Sequence, residues 1–195
     1  MIFERGYFSN TKVGDSIINE SLRQIKTFSA SSEYTSKPTV FLSHKHDDLE
    51  DLKGVMGLLE KYGAKIYIDS MDNKMPKETS GNTAKRIKEV IKFCDKFILL
   101  ATDNAIESYW CNWELGYGDT HKYIDNMAIL PMKEKGSYDH NYKGNEYLQI
   151  YPQIEYSNVF TNKWGRFFKE GYYVKKPRNE EGIRYITELS EWLKQ

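Results

Sequence analysis

The sequence lacks the features that mark several large classes of protein. Its two cysteines, Cys94 and Cys111, are too few for a disulfide framework and do not have the paired spacing of a zinc site. The longest apolar run, residues 97–101, is far too short to span a bilayer, and residues 1–5 lack the apolar segment of a secretory signal. These absences predict a cytoplasmic protein with no membrane partner, in which both cysteines are buried thiols.

An excess of charge of one sign is also absent. Lysine plus arginine and aspartate plus glutamate number 28 each, and no long run of either sign occurs, so the sequence predicts no nucleic-acid partner. Gly81 is isolated, without the neighbouring glycines of a phosphate-binding loop. The chain therefore does not fit a dinucleotide-dependent oxidoreductase or a nucleoside triphosphatase.

What the sequence does contain is a regular alternation of strand and helix patterns within 195 residues, a length typical of one domain. Four short apolar runs of β-forming residues occupy 39–43, 64–68, 97–101 and 127–132. Amphipathic helical patterns separate these runs. Such alternation predicts a parallel sheet covered on both faces, with ligands bound outside the carboxyl ends of its strands.

The N-terminal region has a pattern of its own. Apolar residues recur at helical spacing over 17–28 and predict a helix that covers the sheet. A polar connector that ends in a proline follows this pattern. We therefore expect an N-terminal helix and linker over 1–37 and the main domain from residue 38 onwards.

The C-terminal third is less regular than the centre. An edge segment is predicted over 147–156, interrupted by Pro152, because a proline cannot donate a hydrogen bond to a neighbouring strand. A short strand is predicted over 172–174. Helical spacing of isoleucine and leucine predicts a final amphipathic helix over 183–193.

An acidic residue in an aromatic setting is the first candidate for chemistry. Trp110, Trp113, Glu114 and Tyr117 stand at helical spacing in a helix predicted over 108–121, so the carboxylate is predicted to lie within a stripe of rings. One interpretation is a partly exposed glutamate paired with a lysine beside packed rings. The other is a carboxylate in a low-dielectric pocket whose walls stack on a planar ligand. The residues alone leave both interpretations open.

Polar clusters after the first two strands are the other candidates. His44 and His46 suggest a metal site, but no matching set of ligands occurs elsewhere, so no metal is predicted. Asp47 or Asp48 fits the N-cap of the next helix. Asp69 and the aspartate three residues later can form an acid/base pair, but capping of the loop explains them more simply.

Two motifs, in this order, resemble the TIR (Toll/interleukin receptor) domain family. The first is VFLSH at 40–44, followed by two aspartates, and the second is SYWCNWEL at 108–115, with IYID at 66–69 between them. This resemblance covers about residues 38–132. The segments YPQI and EWL in the C-terminal part resemble the bacterial branch that includes the TIR component of the Thoeris anti-phage defence system.

The resemblance implies an architecture. TIR domains have a flavodoxin-like three-layer α/β/α fold with a central, mainly parallel sheet. The TIR-like domain would occupy 38–195, with the part after the matching strands, 133–195, as a C-terminal extension. The N-terminal helix would be an addition to this fold.

The resemblance also implies an activity. Catalytic members of the family cleave the bond between nicotinamide and ribose in NAD, which implies NAD as the substrate and no cofactor. The glutamate of their Trp-x-x-x-Glu pattern is catalytic, which implies this role for Glu114, with Trp110 as a wall of its pocket. The residues implied as further substrate contacts are Ser43, His44, Lys45 and Asp69.

The Thoeris-like branch implies a more specific function. There the released ADP-ribose is expected to cyclise into a signalling nucleotide, which activates a separate effector protein. Cyclisation requires the exclusion of water, and the loop over 69–81 is a candidate cover. The same role for the polar stretch over 136–145 stays open.

Two other functions fit the same residues. Many TIR domains assemble with one another through exposed surfaces, and in a module of that kind Glu114 would be structural. Self-association is expected whether or not the domain is an enzyme. A nucleoside deoxyribosyltransferase-like hydrolase shares the sheet and a catalytic glutamate but acts on nucleoside monomers. An open cavity beside Glu114 would favour catalysis, whereas ring packing with a basic partner would favour a structural role.

Overall fold

The computed structural model describes residues 2–10, 37–69, 80–136, 142 and 144–195. The helix predicted over 17–28 lies outside these residues. So do most of the loop proposed as a cover and most of the polar stretch after residue 136. None of the helices in the described ranges is both long and apolar enough to cross a bilayer.

A central sheet of eight strands forms the middle layer. Its strands are β1 (Phe3–Glu4), β2 (Thr39–Ser43), β3 (Lys65–Tyr67), β4 (Lys96–Ala101), β5 (Met127–Lys133), β6 (Gln153–Ser157), β9 (Gly171–Lys175) and β10 (Ile186–Glu188). A separate hairpin consists of β7 (Phe160–Thr161) and β8 (Phe167–Phe168). All four central strands predicted from apolar runs are therefore present.

The strand order is β10-β9-β6-β5-β4-β2-β3, and β1 also pairs with β5. Every pairing from β3 to β6 is parallel, whereas β9 pairs antiparallel with both β6 and β10. The order β3-β2-β4-β5-β6 is that of a flavodoxin-like doubly wound sheet. The predicted three-layer fold with a mainly parallel sheet is confirmed.

Helices cover both faces of this sheet. They are α1 (Leu49–Lys61), α2 (Gly81–Phe93), α3 (Asp103–Ile106), α4 (Tyr109–His121) and α5 (Leu189–Trp192), with 3-10 turns at His46–Asp48, Ile124–Asn126 and Glu146–Ile150. Helices α1 and α5 pack on one face, and α2, α3 and α4 pack on the other. Along β4, Ile98 and Leu100 join the first core while Phe97, Leu99 and Ala101 join the second. Burial on both faces explains why this strand is apolar from Phe97 to Ala101.

The chain order reverses between β2 and β4. The connection from β2 to β3 runs through α1 on one face, and the chain reaches β4 through α2 on the other. Crevices form at such reversals, outside the carboxyl ends of the two strands. In this protein those ends are Ser43 of β2 and Ala101 of β4.

Two predictions for the C-terminal third are wrong. The helix predicted over 183–193 is confined to Leu189–Trp192, because Ile186–Glu188 instead pairs with β9 as a strand. The segment over 147–156 is not an edge, because its second half is β6, which lies between β5 and β9. Pro152 precedes that strand and accepts a hydrogen bond from the amide of Ile129, so its missing N–H removes no bond within the strand. The strand predicted over 172–174 is confirmed as part of β9.

Candidate active site

Helix α4 carries the candidate carboxylate, and its start is fixed by local chemistry. The hydroxyl of Ser108 accepts a hydrogen bond from the amide of Cys111, so Ser108 is the N-cap of the helix. A Cβ on Gly118 would lie 3.1 Å from the ring of Phe97. The absence of a side chain at this position therefore lets the helix lie close to β4 and brings Glu114 to the sheet.

The carboxylate of Glu114 is held by a hydroxyl from the end of β2. Glu114 is only 4% exposed, and the Oγ of Ser43 donates to its Oε2 at 2.5 Å. Among the residues that the structure describes, no lysine, arginine or histidine forms an ion pair with it. The carboxylate is thus sealed from solvent rather than open to a cavity, but among the described residues it lacks the basic partner that a structural role predicts.

The ring stripe lies beside Glu114 rather than around it. Helical residues turn by about 100° each, which places Glu114 on the border between the buried face of α4 and the stripe. Trp110 packs edge-on against Trp113, which stacks on Tyr117. The ammonium group of Lys88 lies 5.7 Å and 5.0 Å from the last two ring centres. A lysine therefore accompanies the rings, not the carboxylate.

Burial sets the charge of Glu114. It raises the pKa of the carboxyl to about 8, the negative charge of Asp69 adds to the rise, and the Ser43 hydrogen bond opposes it. At neutral pH the carboxyl is therefore mostly protonated in this closed arrangement. Raised pKa values of this kind, produced by burial and a like charge, are typical of functional carboxyl groups.

His44 adds a neutral ring to the same edge. Its Nδ1 lies 3.3 Å from the carbonyl oxygen of Leu42 and 3.9 Å from Oδ1 of Asp69. Burial lowers the pKa of His44 despite the aspartate, so the ring is uncharged, and because a carbonyl only accepts, Nδ1 carries the proton. Its Nε2 is buried and has no hydrogen-bond partner within the described ranges.

Cys111 lies beneath this loop as a structural thiol. Its Sγ donates to the backbone oxygen of His44 at 3.3 Å. Burial raises the pKa of the thiol to about 11, so it stays protonated and unreactive. The predicted burial of both cysteines is confirmed.

The other predicted site residues lie at different distances from this centre. Asp69 is one-quarter exposed and close enough to influence the charge of both Glu114 and His44. Trp110 is 40% exposed and helps to line an open groove of about 450 Å³ between α2 and α4. Lys45 is half-buried, and within the described ranges no hydrogen bond or ion pair joins it to Glu114. The structure thus brings together Ser43, His44, Asp69 and Glu114 and leaves Trp110 on the rim.

A second buried carboxylate at this edge was not predicted. Asp48 occupies the N-cap position of α1, as predicted, but its side chain makes no capping hydrogen bond. Its carboxylate accepts hydrogen bonds from Thr102 at 2.5 Å and Asn104 at 3.1 Å, and it pairs with Arg5 at 2.8 Å. Arg5 also pairs with Asp51 at 2.8 Å. This cluster fastens the loop that follows Ser43 and His44.

The histidine and acidic side chains at this edge can be compared with the ligand set of a metal site. Within the described ranges, no three histidine, cysteine, aspartate or glutamate side chains come together as a ligand set. His44 and His46 stack on each other, with ring centres 5.7 Å apart. The chemistry available at this edge is therefore that of a carboxyl group, a hydroxyl group and a neutral imidazole.

Comparison with known proteins finds a matching family model and two curated relatives. The family model described as the TIR domain matches residues 40–164. A curated relative from Bacillus cereus (strain MSX-D12), described as a probable 3' cyclic ADP-D-ribose synthase ThsB', is 33% identical over 125 residues, which are 63% of this chain and 63% of the relative. A putative cyclic ADP-D-ribose synthase TIR2 from Cytobacillus dafuensis is 31% identical over 81 residues, which are 40% of this chain and 21% of the relative. The matches thus span less than two thirds of either relative's length.

Proposed function

This chain belongs to the TIR domain family, and from that premise we propose that it is an enzyme that cleaves the bond between nicotinamide and ribose in NAD. The observation that carries the proposal is the buried carboxyl group of Glu114, which has a hydroxyl partner and, within the described ranges, no cation. The names of both relatives, which describe synthases of cyclic ADP-D-ribose, support the choice of substrate.

The lack of a positively charged partner for Glu114 within the described ranges is the physical argument for NAD as the substrate. The nicotinamide ring of the oxidised cofactor carries a positive charge, and cleavage transfers that charge to the ribose as an oxocarbenium-like transition state. Glu114 and Asp69 together make the site favourable for such a charge. A cationic ring beside Glu114 lowers the pKa of its carboxyl group, so binding converts the resting acid into the carboxylate that stabilises the transition state.

The neighbouring side chains have supporting roles in this proposal. Ser43 orients the carboxylate through its hydroxyl, and His44 offers a buried, unpaired Nε2 to a ribose hydroxyl. Asp69 contributes negative potential and a second acceptor. Trp110 forms a wall for a planar ring, and Lys45 contacts the phosphates.

The second part of the proposal concerns the product of the reaction. Once nicotinamide has left, the ADP-ribosyl group is captured either by water or by an atom of its own adenine or ribose. The low exposure of Glu114 disfavours water, and the relatives' names describe cyclic products. We infer a cyclic ADP-ribose that acts as a signal to a separate effector in anti-phage defence, as in the Thoeris-like branch. Self-association through TIR surfaces would accompany activity.

The test is an assay of nicotinamide release and nucleotide products, by chromatography with mass spectrometry. It uses protein at concentrations that allow self-association and protein isolated from phage-challenged cells. We expect Glu114→Gln to reduce NAD cleavage by at least about 100-fold. Glu107→Gln, which changes an exposed glutamate near the start of α4, is the matched control and should retain activity.

Each outcome of this assay bears on the proposal. Normal NAD cleavage by Glu114→Gln would remove Glu114 from the mechanism. Cleavage of nucleoside monophosphates in preference to NAD would identify a deoxyribosyltransferase-like hydrolase instead. Wild-type protein that self-associates but cleaves neither substrate, even from challenged cells, would identify a non-enzymatic assembly module.

A further inference from the structure

A cleft separate from Glu114 lies beside β6 and β9. We call it the basic cleft, because Lys175, Lys176, Arg178 and Arg184 line it together with a single acidic side chain, Glu155. Its volume is about 550 Å³, within the range of about 300–1,000 Å³ common for small-molecule sites. A cleft of this size is large enough for a ligand rather than for isolated ions.

The register of the sheet shows that this cleft is not an extension of the Glu114 site. Ser43 pairs with Leu99, Leu99 with Ile129, and Ile129 with Gln153, which lines the basic cleft. Three strand spacings of about 4.8 Å separate the two ends of this row by roughly 14 Å. The side chains between them, Leu99 and Ile129, are fully buried in the core. The two sites are therefore divided by packed apolar side chains.

The charge of the cleft is local and is held in place. The chain as a whole carries equal numbers of acidic and basic residues, whereas four basic side chains meet one acidic side chain here. Glu155 is 8% exposed and pairs with Lys175 at 3.0 Å and Arg184 at 3.7 Å. A solvated basic surface would have mobile cations, but a buried carboxylate fixes these two at the cleft wall.

The other two cations are free to meet a ligand to different degrees. Lys176 pairs at 2.6 Å with Asp125, whose side chain is largely exposed to solvent. The guanidinium of Arg178 donates to the backbone oxygen of Gly182 at 3.1 Å and, in the described parts of the chain, has no acidic partner. A guanidinium that is held by one nitrogen and keeps its other donors open suits bidentate contact with a phosphate.

Neutral groups complete the lining. Gln149 and Gln153 present amides next to the basic side chains, whereas Tyr151, only 4% exposed, belongs to the packed core. Amides donate hydrogen bonds to a sugar or a base and accept them from it, whereas inorganic phosphate needs only the cations. From this combination we propose that the basic cleft binds a phosphate-bearing ligand of nucleotide size.

Calorimetric titration tests the proposal with ADP, ADP-ribose and inorganic pyrophosphate as the probes. We expect Arg178→Ala/Arg184→Ala to weaken binding of the two nucleotides at least about tenfold, because it removes charge-assisted hydrogen bonds to the phosphates. Lys163→Ala/Arg166→Ala, which removes two exposed cations from the β7–β8 hairpin, is the matched control and should bind within about twofold of wild type.

Arg178→Ala alone removes no ion pair within the described ranges, so it keeps the test valid if the double variant unfolds. Unchanged nucleotide affinity in both Arg178 variants, or no binding at millimolar ADP, would overturn the proposal. Pyrophosphate that binds as tightly as ADP would overturn the assignment to a nucleotide-sized ligand. The Arg178 variants leave the residues of the Glu114 site unchanged, so affinity lost in them is assigned to the basic cleft whatever the NAD assay shows.

Discussion

Two carboxyl groups are buried at the same edge of the sheet, and their surroundings are opposite in kind. Asp48 is fully buried and has two side-chain donors, Thr102 and Asn104, together with the guanidinium of Arg5. Glu114 is almost as buried but has one hydroxyl partner and, in the described ranges, no cation. The fold has therefore compensated one charge and left the other uncompensated.

These two environments distinguish a buried carboxylate that stabilises the fold from one that is available for function. A compensated buried carboxylate ties elements together, as Asp48 joins the loop after β2 to the N-terminal segment and to the start of α3. An uncompensated one disfavours its own ionisation and reduces stability whenever it is charged. We interpret Glu114 as a site for a cationic ligand, because within the described structure it has a hydroxyl partner but no positively charged one.

Removing the charge of Asp48 should produce the larger loss of stability. We expect Asp48→Asn to reduce the free energy of unfolding by about 2 kcal/mol, because it leaves the guanidinium of Arg5 with one fewer carboxylate and disturbs a fully buried network. Denaturation by urea measures the effect. Glu50→Gln on the exposed surface of α1 is the control, with a change below about 0.5 kcal/mol. Greater destabilisation by Glu114→Gln at neutral pH would reverse the comparison.

Removing the hydroxyl of Ser43 should make ionisation of Glu114 still less favourable. The hydrogen bond from Ser43 opposes the rise in the pKa of Glu114, so Ser43→Ala should raise that pKa further. We expect NAD cleavage at neutral pH to fall about tenfold and the pH–rate profile to move to higher pH. Ser43→Thr, which keeps the hydroxyl, should retain the profile. An equal loss at every pH would show that Ser43 only supports packing.

The smallest effect on stability and activity is expected for Trp110, at the rim of the Glu114 site. Trp110 is partly exposed and contacts Trp113 edge-on, so Trp110→Ala should change the free energy of unfolding by about 1 kcal/mol or less. If Trp110 forms a wall of the site, Trp110→Ala should also raise the KM for NAD several-fold with a smaller change in kcat. Tyr109→Ala, which truncates a more exposed ring in the same groove, is the comparison variant. A change in kcat alone would remove Trp110 from substrate binding.

Much of this arrangement can be predicted from local sequence. The four central strands follow from apolar runs, and α4 follows from Ser108 and the helical pattern after it. The choice of Glu114 as the candidate catalytic residue follows from its motif. Its orientation does not, because the choice between a ring stripe and a buried face depends on how closely Gly118 lets the helix approach Phe97.

Interactions between distant parts of the chain could not be predicted. The pairing of Arg5 with Asp48 joins residues that no local pattern connects, and the same aspartate satisfies every local rule for an N-cap. Ile186 and Leu189 also fit a helix by spacing, but the edge of β9 recruits Ile186 into a strand. Both differences from the local pattern, in the partner of the Asp48 side chain and in the structure at Ile186, arise because tertiary partners outweigh local preference.

The most direct test of the uncompensated carboxyl group compares the unfolding free energy of wild type and Glu114→Gln from about pH 5 to pH 9. The folded pKa of Glu114 is about 8, against 4.5 for an unperturbed glutamate. Between these values the folded protein holds a proton that the unfolded chain has lost. Wild type should therefore lose stability relative to the glutamine variant as pH rises, with a slope approaching about 1.4 kcal/mol per pH unit. Stability curves that stay parallel across this pH range, or a gain in the stability of wild type relative to Glu114→Gln, would contradict the uncompensated charge and show that Glu114 has a charge partner.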